Sequence, residues 1–237
     1  MPQPERQPEI FPPGTPRFYQ ECKLISSGEA APLRFQSSLI NEPFGGVSHL
    51  VFLASLHRSP TCPAENVVVK LASKYGQDVH QFLESQLLAP KLIATSSMEG
   101  IPTAYVMERL SSQWVTLHDL AEDNTIDFNR RSGDIHTSLM HIVELLRGKG
   151  YVHGDLRANN IMINTNTLQG EGQPDIKIVD FNWSGKAGVT RYPGTRNESI
   201  KFPGKPGHRI QQGDDAKLLE IWWPEILASV ERKLLSA

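Results

Sequence analysis

The sequence of 237 residues predicts an α+β fold in two parts: a small five-stranded antiparallel unit, then a shortened, mainly helical unit. Two observations carry that prediction. Between residues 33 and 108, short runs rich in β-branched and aromatic residues recur between turn-forming clusters, with one helical stretch inserted after the third run. From residue 127 onward the periodicity becomes helical, with Ile135, Leu139, Ile142, Val143 and Leu146 on one face.

The elements follow in order. Residues 1–20 read as a proline-rich flexible leader, with six prolines by Pro16 and neither helical nor strand periodicity. Leu33–Ile40 and Val47–Leu56 read as strands around the turn 41–46, and Val67–Leu71 as a third after a polar loop. Gln77–Ala89 reads as a helix with Phe82, Leu83 and Leu87 on one face, ended by Pro90. Lys91–Thr95 and Thr103–Glu108 complete the five strands of a unit spanning 21–110. In the second unit, 111–237, a helix over Asp127–Arg147 stops at Gly148 and Gly150. Strands Ile161–Asn164 and Ile176–Val179 flank a polar turn, and a Pro/Gly-rich stretch over 185–213 precedes a last helix, Asp215–Leu235.

Composition narrows the function. With 24 Lys and Arg against 26 Asp and Glu, the net charge of −2 argues against broad binding to nucleic-acid backbones. Cys22 and Cys62 lack a His or Cys companion at zinc-ligand spacing, so they read as unpaired thiols of a reducing compartment. No signal-peptide pattern and no membrane-spanning apolar run is evident, which predicts a cytoplasmic or nuclear protein without membrane partners.

The chemistry concentrates in His153-Gly154-Asp155-Leu156-Arg157-Ala158-Asn159-Asn160, placed between a helix and a strand, and in Asp180-Phe181 at the end of the next strand. Phosphoryl transfer is mostly positioning and charge compensation. It needs one carboxylate to orient a hydroxyl, and a second carboxylate with an amide oxygen to hold magnesium through hard oxygen ligands. An isolated H-x-D means little, but the D-x4-N interval of Asp155 and Asn160, with Asp180 ending the paired strand, is hard to obtain by chance.

These residues resemble the catalytic loop and metal motif of eukaryotic protein kinases, and of the related aminoglycoside and choline phosphotransferases. The resemblance implies a two-lobed protein-kinase-like fold that uses ATP and Mg2+. By position, Asp155 is similar to the catalytic base, Asn160 to the magnesium-binding asparagine and Asp180 to the main magnesium ligand. Arg157 corresponds to a cation that neutralises the transferred phosphate, and His153 to a structural support of the loop. Lys70, ending a Val-rich strand, resembles the lysine on the α- and β-phosphates; a lysine among apolar residues otherwise carries a desolvation cost. Its expected partner is Asp78, six residues from the alternative, Glu84, and so on another helix face. Met107 resembles the residue at the back of an adenine pocket, with backbone groups of Glu108 to Leu110 reading the adenine edge.

Several positions depart from the pattern. Only Phe44-Gly45-Gly46-Val47 resembles the glycine-rich phosphate loop, although Gly45 and Gly46 still permit close backbone approach. Gly154 replaces the arginine of regulated kinases, Asn182 replaces a glycine, and no A-P-E closes the segment after Asp180. Phe181-Asn182-Trp183-Ser184-Gly185-Lys186 and Arg191-Tyr192-Pro193 are similar to a group of fungal kinase-like proteins, and Asp215 to the aspartate that braces the catalytic loop. The helices that usually dock protein substrates are expected to be missing. The resemblance implies a Ser/Thr-type protein kinase; a nucleotide-binding pseudokinase acting as an interaction module and a small-molecule phosphotransferase stand as alternatives. The substrate, protein or small molecule, is unidentified.

Overall fold

A computed structural model describes residues 15–39, 50–59 and 61–236. The chain divides into two compact units, Met1–Ser73 with Leu92–Arg109, and Lys74–Lys91 with Leu110–Ala237. The expected turn 41–46, including Gly45 and Gly46, and residues 1–14 of the expected leader lie outside the described residues.

The first unit is a closed antiparallel barrel of six strands, where a five-stranded antiparallel unit was expected. Its strands are β1 (Glu21–Leu24), β2 (Ala30–Ser38), β3 (Val51–Leu56), β4 (Glu65–Ala72), β5 (Leu92–Ser96) and β6 (Thr103–Glu108). They run in the order β1-β2-β3-β4-β6-β5, and β1 closes the ring by pairing with both β2 and β5. The sequence pattern misses β1 because it is four residues long and alternates exposed Glu21 and Lys23 with buried Cys22 and Leu24. Closure removes both sheet edges. Alternation along β2 to β4 sends Leu33, Phe35, Phe52, Leu56, Val67 and Val69 inward, and alanines at 54, 94 and 104 fit the narrow interior. Phe35 and Phe52 meet edge to face at 5.4 Å. Tyr19, inside the expected leader, is buried with this core, and its hydroxyl donates to the Pro102 carbonyl.

The second unit holds α1 (Gln77–Ser85), α2 (Leu117–Asp123), α3 (Thr125–Gly148) and α4 (Asp214–Ser236). Helix α1, expected with the strands, belongs here because Val79 and Leu83 are fully buried in the core of this unit. It also ends earlier than Ala89. Leu87 takes a left-handed φ of 63°, while Leu88 N donates to Leu83 O and Leu87 N to Glu84 O, both at 2.8 Å. That is a Schellman stop with leucine where glycine is usual. The half-buried Thr116 and the exposed Asn124 cap α2 and α3 with their side chains, and Gly150, at φ 68°, turns the chain after α3.

Short strands β7 (Trp114–Thr116), β9 (Ile161–Asn164) and β10 (Ile176–Ile178) form one sheet in the order β10-β9-β7, and β8 (Tyr151–Val152) pairs with β11 (Gly185–Lys186). Ile135, Leu139, Ile142 and Leu146 of α3 bury against Leu219 and Trp223 of α4 and against Ile161, Ile163 and Ile178 of the sheet. Arg131 donates from both terminal nitrogens to the carbonyls of Gly170 and Gly172, pinning the long turn between β9 and β10. Leu139 is fully buried, so Leu139→Ala should lower unfolding free energy by about 3 kcal/mol in urea titration, without moving the denaturant slope.

Candidate active site

Strand β8 delivers the chain into the loop His153–Asn160, which closes with a single 3-10 turn over Ala158–Asn160 and runs into β9. The loop is held from α4. Both carboxylate oxygens of Asp215 accept backbone N–H bonds, from His153 at 2.7 Å and from Gly154 at 2.8 Å. Two further bonds hold its carbonyls: Ser184 Oγ donates to His153 O and Trp222 Nε1 to Leu156 O, each at 2.9 Å. Burial pushes the Asp215 carboxyl up to about 6, and the two amides pull the other way.

Gly154 has a physical reason. Its φ is +81°, and a Cβ there would lie 2.7 Å from Ile210 Cδ1 and 3.1 Å from Trp183 O. The arginine found here in regulated kinases has neither the conformation nor the space.

Asp155 is buried, and three hydrogen bonds reach its carboxylate. Arg157 donates Nε to Oδ1 at 2.5 Å and Nη2 to Oδ2 at 2.9 Å, a bidentate pair. Asn160 Nδ2 donates to Asp155 Oδ2 at 3.0 Å and to its backbone carbonyl at 2.9 Å. Burial raises the Asp155 pKa and the charge of Asp180 adds to the rise, while Arg157 and Asn160 oppose it. The ring of His153, fully buried, receives the Asp155 N–H at Nδ1, 3.3 Å away, so Nε2 carries the proton and donates to Val179 O at 3.2 Å. That bond ties the loop to the residue preceding Asp180.

Asp180 itself adopts a left-handed backbone, φ 66° and ψ 71°, and its carboxylate accepts from Asn182 N at 3.4 Å. Aspartate tolerates this region better than most residues. The next side chain, Phe181, is buried against His80 of α1, stacked at 4.4 Å with 8° between planes, and meets His153 edge to face at 5.3 Å. His80 Nε2 donates to Pro90 O at 2.7 Å, since a carbonyl can only accept, and Nδ1 meets the Tyr75 hydroxyl at 2.7 Å.

Asp155, Arg157 and Asn160 are therefore brought together by direct hydrogen bonds, with Asp180 in their electrostatic field. Lys70, Met107 and Glu108 lie in the barrel unit, on adjacent strands β4 and β6, with Lys70 and Met107 largely buried. Asp78 and Leu110 belong to the second unit. Asp78 is exposed in the first turn of α1, where its charge complements the helix N-terminus, whereas Glu84 is half-buried. Sequence inspection overlooked His80, Tyr75, Ser184 and Trp222. The available signal for His80 was its place beside Val79 and Leu83 on the apolar face of α1. Among the described residues, no group of three His, Cys, Asp or Glu side chains is placed to hold a metal, and no helix is long and apolar enough to cross a membrane.

No known protein-family model and no curated protein matches the sequence. Among solved structures, the chain is similar to the structure of the Cydia pomonella granulovirus kinase PK-1, with a TM-score of 0.56 and 16% identity over 83% of this chain and 69% of that one. The fold is mixed α/β and protein-kinase-like.

Two outcomes test the bracing. For Asp215, a folded pKa above the unfolded value of 3.8 means that the native state holds the extra proton, so this group's stabilising contribution is present at low pH and lost as pH rises through about 6. Asp215→Asn should therefore cost most near pH 4.5, and progressively less towards pH 7, in paired thermal melts. Gly154→Ala should cost about 1–3 kcal/mol in the same melts, because it meets both a positive φ and a 2.7 Å approach.

Proposed function

We propose that this chain is a magnesium- and ATP-dependent phosphotransferase acting on a protein Ser or Thr hydroxyl, with Asp155 as the general base. The observation that carries it is the hydrogen-bond count at the Asp155 carboxylate. An ionised carboxylate offers about four lone-pair sites. Oδ2 accepts from Arg157 Nη2 and Asn160 Nδ2, whereas Oδ1 accepts from Arg157 Nε, leaving one direction on Oδ1 for an acceptor hydroxyl.

In this proposal, Oδ1 orients the hydroxyl and takes its proton as the oxygen bonds to the γ-phosphorus of ATP, whose bond to the β,γ-bridging oxygen breaks to release ADP. Arg157 fixes the carboxylate in one orientation and keeps a positive charge beside the reacting phosphoryl group. The Asn160 amide nitrogen is committed to Asp155, so its carbonyl oxygen is the atom free to act as a ligand. That oxygen and the Asp180 carboxylate are hard donors suited to magnesium, which keeps its other positions for phosphate and water. The ion, when bound, supplies charge neutralisation on the phosphate oxygens. Lys70, Met107 and the backbone of Glu108 to Leu110 are assigned nucleotide contacts on the strength of the sequence resemblance.

A second proposal, a nucleotide-binding module without turnover, draws support from the same pair: Arg157 occupies both oxygens of Asp155, so its base is partly masked. Transfer of label from γ-labelled ATP to mixed protein substrates separates the two. Asp155→Asn should lower transfer by about 100-fold or more while keeping the thermal shift given by magnesium-ATP. Asp180→Asn should lose the magnesium-dependent part of that shift. Binding without transfer in the unaltered protein would leave the module alone standing. Because Asp155 is raised, the acid limb of kcat/KM should fall at a pH above the ordinary aspartate value of 3.8.

A further inference from the structure

We infer that the segment 185–213 is a docking surface for an acidic stretch of the protein substrate, Asp- or Glu-rich and flanking the acceptor hydroxyl. The inference rests on the transfer reaction proposed above for its link to chemistry, but not for its binding.

The charge is concentrated. Within 185–213 lie Lys186, Arg191, Arg196, Lys201, Lys205 and Arg209 against a single acid, Glu198, in a chain whose net charge is −2. Lys186, Arg191, Lys201, Lys205 and Arg209 are exposed. Among the described residues, the only carboxylate within ion-pair range of these six cations is Glu225, 3.6 Å from Lys201. Arg191 and Arg196 instead donate to the carbonyls of Gly207 and Gly204, and Arg196 Nη1 has no hydrogen-bond partner.

Backbone geometry sharpens the point. Arg191 and Arg209 face each other across an antiparallel bridge. The flanking bonds run from Tyr192 N to His208 O at 3.0 Å and from Ile210 N to Thr190 O at 2.9 Å, which makes the two arginines a non-hydrogen-bonded pair with their side chains on one face. Like charges directly opposite on a bridge repel. A carboxylate-bearing partner between them relieves that repulsion.

The patch is also fastened beside the reacting group. The Phe202 ring takes the Arg196 guanidinium at 4.5 Å and that of Arg157, the residue gripping Asp155, at 5.7 Å. Tyr192, buried, anchors the same segment through its hydroxyl to Asp214 Oδ2 at 3.2 Å. The segment thus reaches Arg157, the side chain that grips Asp155, through Phe202.

A peptide fits better than the other polyanions. Trp183, Tyr192 and Phe202 pack on one another, at 5.2 to 6.3 Å, rather than standing free to stack on bases. The segment contains no helix, and Val189 is its one large apolar side chain that is markedly exposed, so it lacks the amphipathic face of a bilayer-binding element.

The test is fluorescence anisotropy of a labelled serine peptide flanked by glutamates, against the same peptide with glutamines, using the full chain at fixed salt. The acidic peptide should bind about tenfold tighter, and Arg191→Gln/Arg209→Gln and Lys186→Gln/Lys205→Gln should each weaken it by about tenfold. Among the described residues the second pair makes no side-chain hydrogen bond, so its melts should match the unaltered protein. Removing two charges elsewhere, in Arg147→Gln/Arg232→Gln, should leave the affinity unchanged. Asp155→Asn should retain peptide binding while losing transfer, so failure of the transfer proposal alone leaves this surface intact. Equal binding of the glutamine peptide, or insensitivity to both basic pairs, overturns it. So does tighter binding of an oligothymidylate or of phosphatidylserine vesicles under the same conditions.

Discussion

The second unit turns on the Asp215 carboxylate buried beneath the His153–Gly154 peptide. Two backbone N–H groups point inward there, and leaving them unpaired would cost about 1–3 kcal/mol each. A carboxylate satisfies both at once because each oxygen accepts, which an amide side chain cannot do. The cost is a buried charge, visible in the raised Asp215 pKa. Holding this peptide goes with the left-handed turn at Gly154, after which Asp155 meets Arg157 and Asn160. The bracing residue comes from the first turn of α4, so the last helix of the chain sets the geometry of a loop some sixty residues earlier.

From that anchor the order spreads by hydrogen bonds of fixed direction. The Asp155 N–H sets the tautomer of His153, and the tautomer sets which carbonyl its other nitrogen reaches, that of Val179. Asp180 follows directly, held at a strained φ by its own bond to Asn182 and by Phe181 lodged between two imidazoles. A purely apolar residue at 80 could fill the same space. His80 adds polar tethers to Pro90 O and to the Tyr75 hydroxyl, so the ring facing Phe181 cannot rotate without breaking them. Asp155 and Asp180 are thereby linked through His153 and Phe181 in the core, in addition to the direct effect of the Asp180 charge on Asp155.

Much of this was legible in the residues, and the rest was hidden for identifiable reasons. The interval from Asp155 to Asn160, the place of Asp180 after a strand, and the bracing role of Asp215 are local patterns of few polar residues, and they survive translation into structure. Helix α3 announced itself through five apolar residues on one face, all of which are buried. Strand β1 was illegible because four residues carry too little periodicity, and its pairing with β5 spans some seventy residues. The end of α1 misled because Leu87 occupies a glycine-type position while lying 81% exposed, so neither its backbone nor its burial matches its residue type. Gly154 looked like the loss of an arginine; only the approach of Ile210 and Trp183 reveals it as a steric requirement.

Arg157 joins the two halves of the functional proposal. Its guanidinium spends two donors on Asp155 and lies over the Phe202 ring at 5.7 Å, so one side chain faces both the proposed base and the basic segment. A lysine could neutralise Asp155 but could not grip both oxygens with a planar fork. The arrangement has a consequence for substrate arrival. On the docking proposal, an acidic segment drawn to Arg191 and Arg209 adds negative potential that by itself would raise the Asp155 carboxyl further and favour its protonated form. The bidentate Arg157 opposes that shift at the shortest range available, 2.5 Å, where its charge acts with the least screening. On the proposed reading of Asp155 as base, a site that recruits anions needs a cation bound directly to that carboxylate, and Arg157 is bound there.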